Sequence, residues 1–419
     1  MLPFERGFTL AEAEREIRRV IEELELDPEV SVVGDRIFAA RCALIDRSGD
    51  AVSSGLGKGD EQSAIVGALY EAVEHYVTKL NFICPNDLSI EHSAALAKEN
   101  KNYMSGVIRS VLDDGGDNRI LCAVHQSIED SRHSALYPVG LFIPDYVDLK
   151  YRDTSIVPDD NFNYNRLGEY SSNTGVAIGM DVTEAVLHGV LEAAERDSVS
   201  RFLFNAFIKG DFRSVRKMDM STLPPNLQIL TDDVGRECSV DEIHVYQLPN
   251  RFGIPAYVAW INARIHGLHQ PGFGCSLSEY HAIERSLYEL AQGHIALTKI
   301  HDAKMVEKTQ LRRAANLHRY PILHDCLTFD IGKMKEKVGY TRVEFSGHSA
   351  TQVSPKAQIQ EIVARIRNIG EHAFSCEFSF PVETSVKVVH TFISNSDRFM
   401  TVLGGRIAMP DATSGVRNG

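Results

Sequence analysis

Residues 171–197, SSNTGVAIGMDVTEAVLHGVLEAAERD, pass from a Ser/Gly-rich run directly into a long helical pattern. The same design occurs at 53–76, SSGLGKGDEQSAIVGALYEAVEHY, and at 271–294, PGFGCSLSEYHAIERSLYELAQGH. Near its end each helix carries two polar residues three positions apart, which places both on one helix face. The pairs are Glu71 and Glu74, Glu192 and Glu195, and Glu289 and the amide variant Gln292. Because neighbouring carboxylates repel unless a cation neutralises them, the repetition predicts an acidic metal site assembled from three helices.

Each pair on its own has a simpler interpretation. Glu71 and Glu74 could form a solvated helix face. Glu192 could pair with Arg196 one turn later, and Glu289 could pair in the same way with an arginine one turn earlier. The three occurrences, each after a glycine-rich entry, favour the shared site over three unrelated ion pairs.

The glycine-rich entries point to phosphate. Segments that run into helix N-termini present backbone N–H groups and the positive end of the helix dipole to anions. GLGKG (55–59) is not a P-loop, since it lacks the GK[ST] end at the required spacing, and its glycines could equally be hairpin turn residues. Mg²⁺ normally takes a few carboxylates plus phosphate oxygens, so acidic helices facing such loops suggest Mg²⁺-ATP. The candidate phosphate-binding cations are Lys58, Arg196 and Arg285.

Composition excludes several classes of protein. The 419 residues are 43% hydrophobic and 24% charged, as in a globular protein, and the net charge of −13 argues against sequence-independent nucleic-acid binding. No run approaches the roughly 18 apolar residues of a membrane span, and residues 1–20 resemble an amphipathic charged helix and not a signal peptide. Seven scattered cysteines without a CxxC motif indicate reduced thiols. We therefore expect a cytoplasmic protein.

Periodicity predicts an α/β fold of mixed α+β type, in which antiparallel hairpins alternate with long helices. We expect it to form one interlocked domain over 1–419. The expected ATP-binding blocks lie at about 50–80, 168–207 and 250–298, and 301–419 is expected to be accessory. Thr9 and Glu12 form a capping box for a helix over 9–26. Further helices are predicted at 61–80, 87–115, 182–207, 277–298, 301–318 and 355–369. Strands are predicted within 31–45, 121–144, 242–265 and 386–394, and 151–165 is predicted to be a loop.

The three blocks resemble, in order and over roughly residues 50–300, the ATP-binding blocks of the YcaO family. Members of this family use Mg²⁺-ATP to activate a backbone amide oxygen of a peptide by phosphorylation. The resemblance implies that Mg²⁺ is held by Glu71, Glu74, Glu192, Glu195 and Glu289. It implies nucleotide contacts by Lys58, Ser172, Asn173, Arg196, Arg285 and Gln292, with Arg196 and Glu195 acting in catalysis.

The sequence departs from the family pattern in places. Gly67 and His75 stand where the first block usually has Ser and Arg. Azoline-forming members often end in a proline-rich tail, whereas this chain ends GVRNG with only Pro410 nearby. The missing proline-rich tail favours a thioamide-forming enzyme. The general abundance of azoline formers in the family favours a cyclodehydratase.

The resemblance therefore predicts azoline formation from Cys, Ser or Thr of a ribosomal precursor peptide. The alternative is thioamide formation with external sulfide and a TfuA-like partner. Two other classes are a non-catalytic ATP-binding, peptide-recognition scaffold and an unrelated carboxylate-metal hydrolase. No leader-binding module is evident, so we expect a partner protein, in a homodimeric or heteromeric complex.

Overall fold

The computed structural model describes residues 4–211, 215–332, 340–347 and 353–411. Its strands are β1 (Asp27–Gly34), β2 (Phe38–Ile45), β3 (Ala51–Gly59), β4 (Leu88–His92), β5 (Arg119–Ser127), β6 (Ser134–Pro138), β7 (Val176–Gly179), β8 (Arg216–Met218), β9 (Ile243–Gln247), β10 (Ala256–Ile261), β11 (Gly272–Cys275), β12 (Thr341–Val343), β13 (Ala373–Phe378) and β14 (Lys387–Ile393). Its helices are α1 (Leu10–Glu23), α2 (Glu61–Val77), α3 (Ser93–Glu99), α4 (Gly106–Asp113), α5 (Val139–Phe142), α6 (Pro144–Arg152), α7 (Tyr164–Leu167), α8 (Val182–Leu203), α9 (Pro225–Cys238), α10 (Glu279–Ile295), α11 (Ala303–Leu317), α12 (Pro321–Thr328) and α13 (Pro355–Asn368).

These strands form three sheets. The first has the order β1–β2–β3, and the second has the order β11–β10–β9–β8–β12. The third has the order β4–β5–β13–β14–β7, with β6 paired to β5. Neighbouring strands pair antiparallel except β8 and β12, which are parallel. The mixture of helices with antiparallel sheets confirms the predicted mixed α/β class.

Each sequence repeat folds as a strand followed by a helix: β3–α2, β7–α8 and β11–α10. Asp60, Asp181 and Ser278 cap these helices, since each side chain accepts a hydrogen bond from the backbone N–H three residues later. Such N-caps stabilise a helix by about 1 kcal/mol and fix where it begins. The capping box of Thr9 and Glu12 at the start of α1 is also confirmed.

The glycines of the repeats serve close packing. A Cβ at Gly57 in β3 would lie 1.8 Å from the carbonyl oxygen of Ala64 in α2, and one at Gly274 in β11 would lie 2.1 Å from that of Ala282 in α10. The strand can therefore rest directly on its own helix only because these side chains are absent. GLGKG lies within β3 and pairs with β2, so the structure gives it this packing role in place of an anion-binding loop or a hairpin turn.

The three repeats close into a ring. α2 contacts β7 of the second repeat, α8 contacts β11 of the third, and α10 contacts β3 of the first. Each helix is thus held by its own strand and by the strand of the next repeat. This arrangement places the glutamate-bearing faces of the three helices around one space.

A buried ion network anchors α8 from behind. Asp197 binds Arg201 at 2.7 Å and Arg251 at 3.2 Å, and Arg251 also binds Glu371 at 2.6 Å. Burial opposes ionisation of Asp197, but the two guanidinium groups outweigh it and lower its pKa. Since Asp197 directly follows Arg196, the network fixes the helical turn that carries Arg196.

Some predicted elements differ from the structure. Within 87–115, Leu88–His92 forms strand β4 on β5, and only the later part is helical. Within 121–144, the strands end at Pro138 and Val139–Phe142 is helical. The expected accessory region 301–419 supplies β13 and β14, which lie between β5 and β7 in the third sheet. Residues 412–419, which include GVRNG, lie outside the described residues.

Among the described residues, no helix combines the length and apolar character that a membrane span requires. All seven cysteines are free thiols, and six of them are buried.

Candidate functional site

A cavity of about 750 Å³ lies where the three repeats meet. It is lined by the segment before α1, by β3 and β7, and by the inner faces of α2, α8 and α10. Eleven side chains were predicted for nucleotide, metal and catalysis, and ten of them line this cavity. They are Lys58, Glu71, Glu74, Asn173, Glu192, Glu195, Arg196, Arg285, Glu289 and Gln292.

The α2 wall consists of Glu71 and Glu74. Burial raises the pKa of Glu71, and His75, whose Nε2 lies 3.9 Å from Glu71 Oε1, partly offsets the shift. Burial, together with the charges of Glu71 and Glu192, raises the pKa of Glu74 well above its ordinary value. Within the described ranges neither carboxylate forms an ion pair with a lysine or arginine. The α2 wall therefore presents carboxylates that the chain itself leaves largely uncompensated.

On the α8 side of the cavity, one positive side chain lies between two carboxylates. Arg196 Nε lies 3.6 Å from Glu192 Oε1, and its Nη1 lies 3.5 Å from Glu195 Oε1. Burial raises the pKa of Glu192 and raises that of Glu195 to about 7, although Arg196 opposes both shifts. The contacts of Arg196 are longer than strong hydrogen bonds, so its N–H groups remain able to bind another anion.

Lys58 links the first repeat to the third. Its Nζ donates a hydrogen bond to Glu289 Oε2 at 3.2 Å, crossing from β3 to α10. Burial disfavours the ionised form of Glu289. Lys58, Arg196 and Arg285 outweigh this effect and lower the pKa of Glu289. Gln292 lines the cavity from the next turn of α10. We call Glu192, Glu195 and Glu289, with their neighbouring cations, the α8–α10 wall.

Ser172 and Asn173 are adjacent but have different surroundings. Asn173 is exposed and lines the cavity. Ser172 Oγ accepts a hydrogen bond from Arg398 Nη2 at 2.8 Å and lies 2.9 Å from Thr174 Oγ1. Arg398 is buried and also donates to backbone carbonyl groups of neighbouring segments. Ser172 thus helps to fix the loop before β7, and it lies outside the cavity lining.

The donor set fits magnesium bound together with a nucleotide. In the part of the chain that the structure describes, no group of three or more His, Cys, Asp or Glu residues could hold a metal ion alone. Mg²⁺ is typically bound by one or two carboxylates plus phosphate oxygens and water, so carboxylate pairs around a cavity are sufficient. Burial and neighbouring carboxylate charges raise the pKa values of Glu71 and Glu74, and a cation bound beside them would favour their ionised forms.

Sequence patterns did not reveal the segment before α1. Phe4, Glu5, Arg6 and Phe8 line the cavity, and Glu5 is buried. Glu5 binds Ser276 and Arg285, which are 271 and 280 positions away in the sequence. The only local signal of a role for this segment was a pair of charged residues, Glu5 and Arg6, between two phenylalanines and just before the capping box. Such a pattern does not identify partners that lie so far away in the sequence.

The cavity lies within a region that matches a known family. Residues 56–395 match the family model described as YcaO cyclodehydratase, ATP- and Mg²⁺-binding. The fold is similar to that of YcaO from Methanopyrus kandleri bound with AMPPCP and Mg²⁺, with a TM-score of 0.67 and 18% identity over 98% of this chain and 97% of the other. It is also similar to a heterocyclase in complex with substrate and cofactor, with a TM-score of 0.65 and 17% identity over 94% of this chain and 54% of the other. No curated protein sequence matches significantly.

Proposed function

This chain belongs to the YcaO family, and from that premise we propose that it phosphorylates a backbone amide oxygen of a ribosomally made peptide to drive azoline formation. Membership makes it an ATP-dependent enzyme that uses Mg²⁺. One observation carries the proposal. The glutamates of all three repeats, together with Lys58, Arg196 and Arg285, line a single cavity.

In the proposed reaction, the thiol or hydroxyl of a Cys, Ser or Thr gives up its proton to solvent as its sulfur or oxygen adds to the carbonyl carbon of the preceding residue, and a new S–C or O–C bond forms. The carbonyl oxygen becomes an oxyanion, attacks the γ-phosphorus of ATP and releases ADP. The phosphorylated oxygen then leaves as phosphate, the amide nitrogen gives up its proton, and the C=N bond of a thiazoline or oxazoline forms. Catalysis of such transfers depends mainly on positioning and charge neutralisation.

The chain's own residues supply that positioning. Arg196 and Arg285, which line the cavity, would bind phosphate oxygens, and Lys58 would add a third positive charge. Glu195, 3.5 Å from Arg196, orients the guanidinium. Bound Mg²⁺ would neutralise phosphate charge, with the glutamate pairs of α2 and α8 and with Glu289 as its protein ligands.

Thioamide formation is the second candidate. The cavity residues act on the amide oxygen and its phosphate, and none of these contacts depends on which nucleophile attacks the carbon. Sulfide delivered from outside would therefore use the same site, with a TfuA-like partner as its source.

Mass spectrometry separates these outcomes. The chain is incubated with Mg²⁺-ATP and a precursor peptide encoded beside its gene, with and without partner proteins from the same locus. We expect the peptide to lose the mass of one water per modified residue. A mass gain equal to sulfur replacing oxygen would instead establish the thioamide. An unmodified peptide under every condition, with nucleotide still bound, would favour a non-catalytic ATP-binding scaffold.

Full activity is expected to require a second protein. A partner that holds the leader of the precursor tethers the core peptide near the cavity and raises its effective concentration to the mM range. Adding the partner should therefore raise the rate of modification by about tenfold or more. Full-rate modification of a leader-bearing peptide by the isolated chain would contradict this dependence.

A further inference from the structure

The segment before α1 places a carboxylate on a cavity arginine. Glu5 is 3% exposed, and its Oε1 accepts a hydrogen bond from Ser276 Oγ at 2.6 Å. Its Oε2 accepts one from Arg285 Nη1 at 3.2 Å and lies 3.6 Å from His281 Nε2. Burial opposes ionisation of Glu5, but His281 and Arg285 outweigh it and lower its pKa to about 2. Glu5 is therefore an anion bound inside the cavity.

Side-chain contacts hold the rest of this segment: Arg6 Nη1 lies 3.6 Å from Glu184 Oε2, and Phe8 packs against the core. Gly7 N donates to Glu184 Oε1 at 2.7 Å, and Arg6 Nη1 lies 3.3 Å from His188 Nδ1. The ring of Phe4 packs on His281 with the centroids 5.2 Å apart. Glu5 has a φ of +66°, a left-handed conformation that is unfavourable for a residue with a side chain. A strained segment outside the helices and strands, held by side-chain contacts, opens more readily than a helix or strand of the core.

Carboxylate and phosphate oxygens are equivalent ligands for a guanidinium group. Arg285 already binds one anion, Glu5, in the cavity where nucleotide phosphate is proposed to bind. We propose that the segment Phe4–Phe8 is an internal competitor of the nucleotide, in which Glu5 occupies Arg285 until a phosphate group displaces it. The inference rests on the proposed role of Arg285 and adds a displacement step that gates nucleotide entry.

A different role for Glu5 makes the opposite prediction. If Glu5 only oriented Arg285, it would stay in place when nucleotide binds, and its removal would weaken binding. If it competes, its removal frees Arg285 and strengthens binding, because the apparent Kd falls as the binding-competent fraction rises. The direction of the change in affinity therefore decides between the two roles.

The experiment measures the Kd of Mg²⁺-AMPPCP, a non-hydrolysable analogue, by calorimetry. The proteins are wild type, Glu5→Gln, and Glu22→Gln as a matched control at an exposed position of α1. We expect Glu5→Gln to bind about fivefold tighter or more, and Glu22→Gln to match wild type. Equal or weaker binding by Glu5→Gln would overturn the inference.

A second measurement needs no variant. Amide hydrogen exchange in residues 4–9 of the wild type should increase when Mg²⁺-AMPPCP is added, because the Gly7 N–H loses its contact with Glu184. Protection that stays the same or increases would also overturn the inference.

The inference and the proposed function fail in different ways. Nucleotide binding that is lost in Arg285→Gln but unchanged in Glu5→Gln would remove the competitor and keep the nucleotide site. Wild-type protein that binds no nucleotide would overturn both.

Discussion

The two sides of the cavity carry similar carboxylates in different electrostatic settings. On the α2 wall, burial leaves Glu71 and Glu74 with raised pKa values, and no lysine or arginine within the described ranges pairs with either. On the α8–α10 wall, Arg196 lies between Glu192 and Glu195, and Lys58 lowers the pKa of Glu289 despite burial. The α2 wall thus needs a cation from outside the chain, whereas the α8–α10 wall already contains cations that can bind phosphate.

This contrast predicts that the two walls bind different parts of the ligand. A cation should bind first where the charge is least compensated, and a polyanion should bind where arginine and lysine are presented. The glutamates of both walls would then hold Mg²⁺, and the lysine and arginines of the α8–α10 wall would hold the phosphate groups.

The largest expected effect is loss of ATP turnover when a glutamate of either wall is removed. Glu74→Gln and Glu289→Gln should each lower turnover about 100-fold or more, because each removes a proposed metal ligand worth several kcal/mol in the transition state. Steady-state phosphate release over a range of Mg²⁺ concentrations measures this. Wild-type turnover in both variants would dismiss the shared metal site.

Arg196→Lys should have a smaller effect, about 10-fold to 100-fold on ATP turnover. Lysine keeps the charge but loses the planar fork that binds two phosphate oxygens at once. The KM for ATP should rise by a larger factor than the Mg²⁺ concentration that gives half-maximal activity, because Arg196 belongs to the wall proposed to bind phosphate. Full activity with an unchanged KM would mean that Arg196 serves only as an ion-pair partner of Glu192.

Metal-free stability should change with opposite sign at the two walls. Glu74→Gln relieves repulsion and should raise the melting temperature, whereas Glu289→Gln removes the partner of Lys58 and should lower it. Shifts of about 1–2 °C are expected for a chain of this size. Calorimetry in EDTA measures both, and shifts of the same sign would show that the walls do not differ in compensation.

The metal-free protein should lose stability as pH rises from about 5 to 8. The pKa of Glu195 rises from 4.5 to about 7 on folding, so the folded state binds the extra proton in this range. Stability from this group is complete below 4.5 and is lost as pH passes through about 7. The pH slope of the melting temperature should be shallower in Glu195→Gln, and an identical slope would place the effect elsewhere.

Ser172→Ala should have the smallest effect on nucleotide binding. Its hydroxyl binds Arg398 and lies outside the cavity lining, so we expect the KM for ATP to change by less than about twofold. Asn173→Ala, at the neighbouring position that lines the cavity, is the matched comparison and should raise the KM further. A larger effect from Ser172→Ala would restore the nucleotide contact that the family resemblance implied.

Local spacing predicted much of the site. Each glutamate pair lies on one face of its helix, and the N-caps fix where those helices begin. Short-range patterns were therefore sufficient to predict these residues. Glu5 and Ser172 were different, since their partners Arg285 and Arg398 lie far away in the sequence. Strand β4 was missed because its five residues run directly into helix α3 with no break between them and take their conformation from pairing with β5.

The central position of β13 and β14 bears on how the chain folds while it is being made. Until these late strands emerge from the ribosome, β5 and β7 each lack a neighbour in the third sheet and present an open edge. Open edges pair readily with other chains, so a stalled nascent polypeptide is exposed to aggregation. Since β7 leads directly into α8, we expect the cavity to acquire its second side only when that sheet is complete. A partly made chain therefore lacks the complete cavity until its fold is finished.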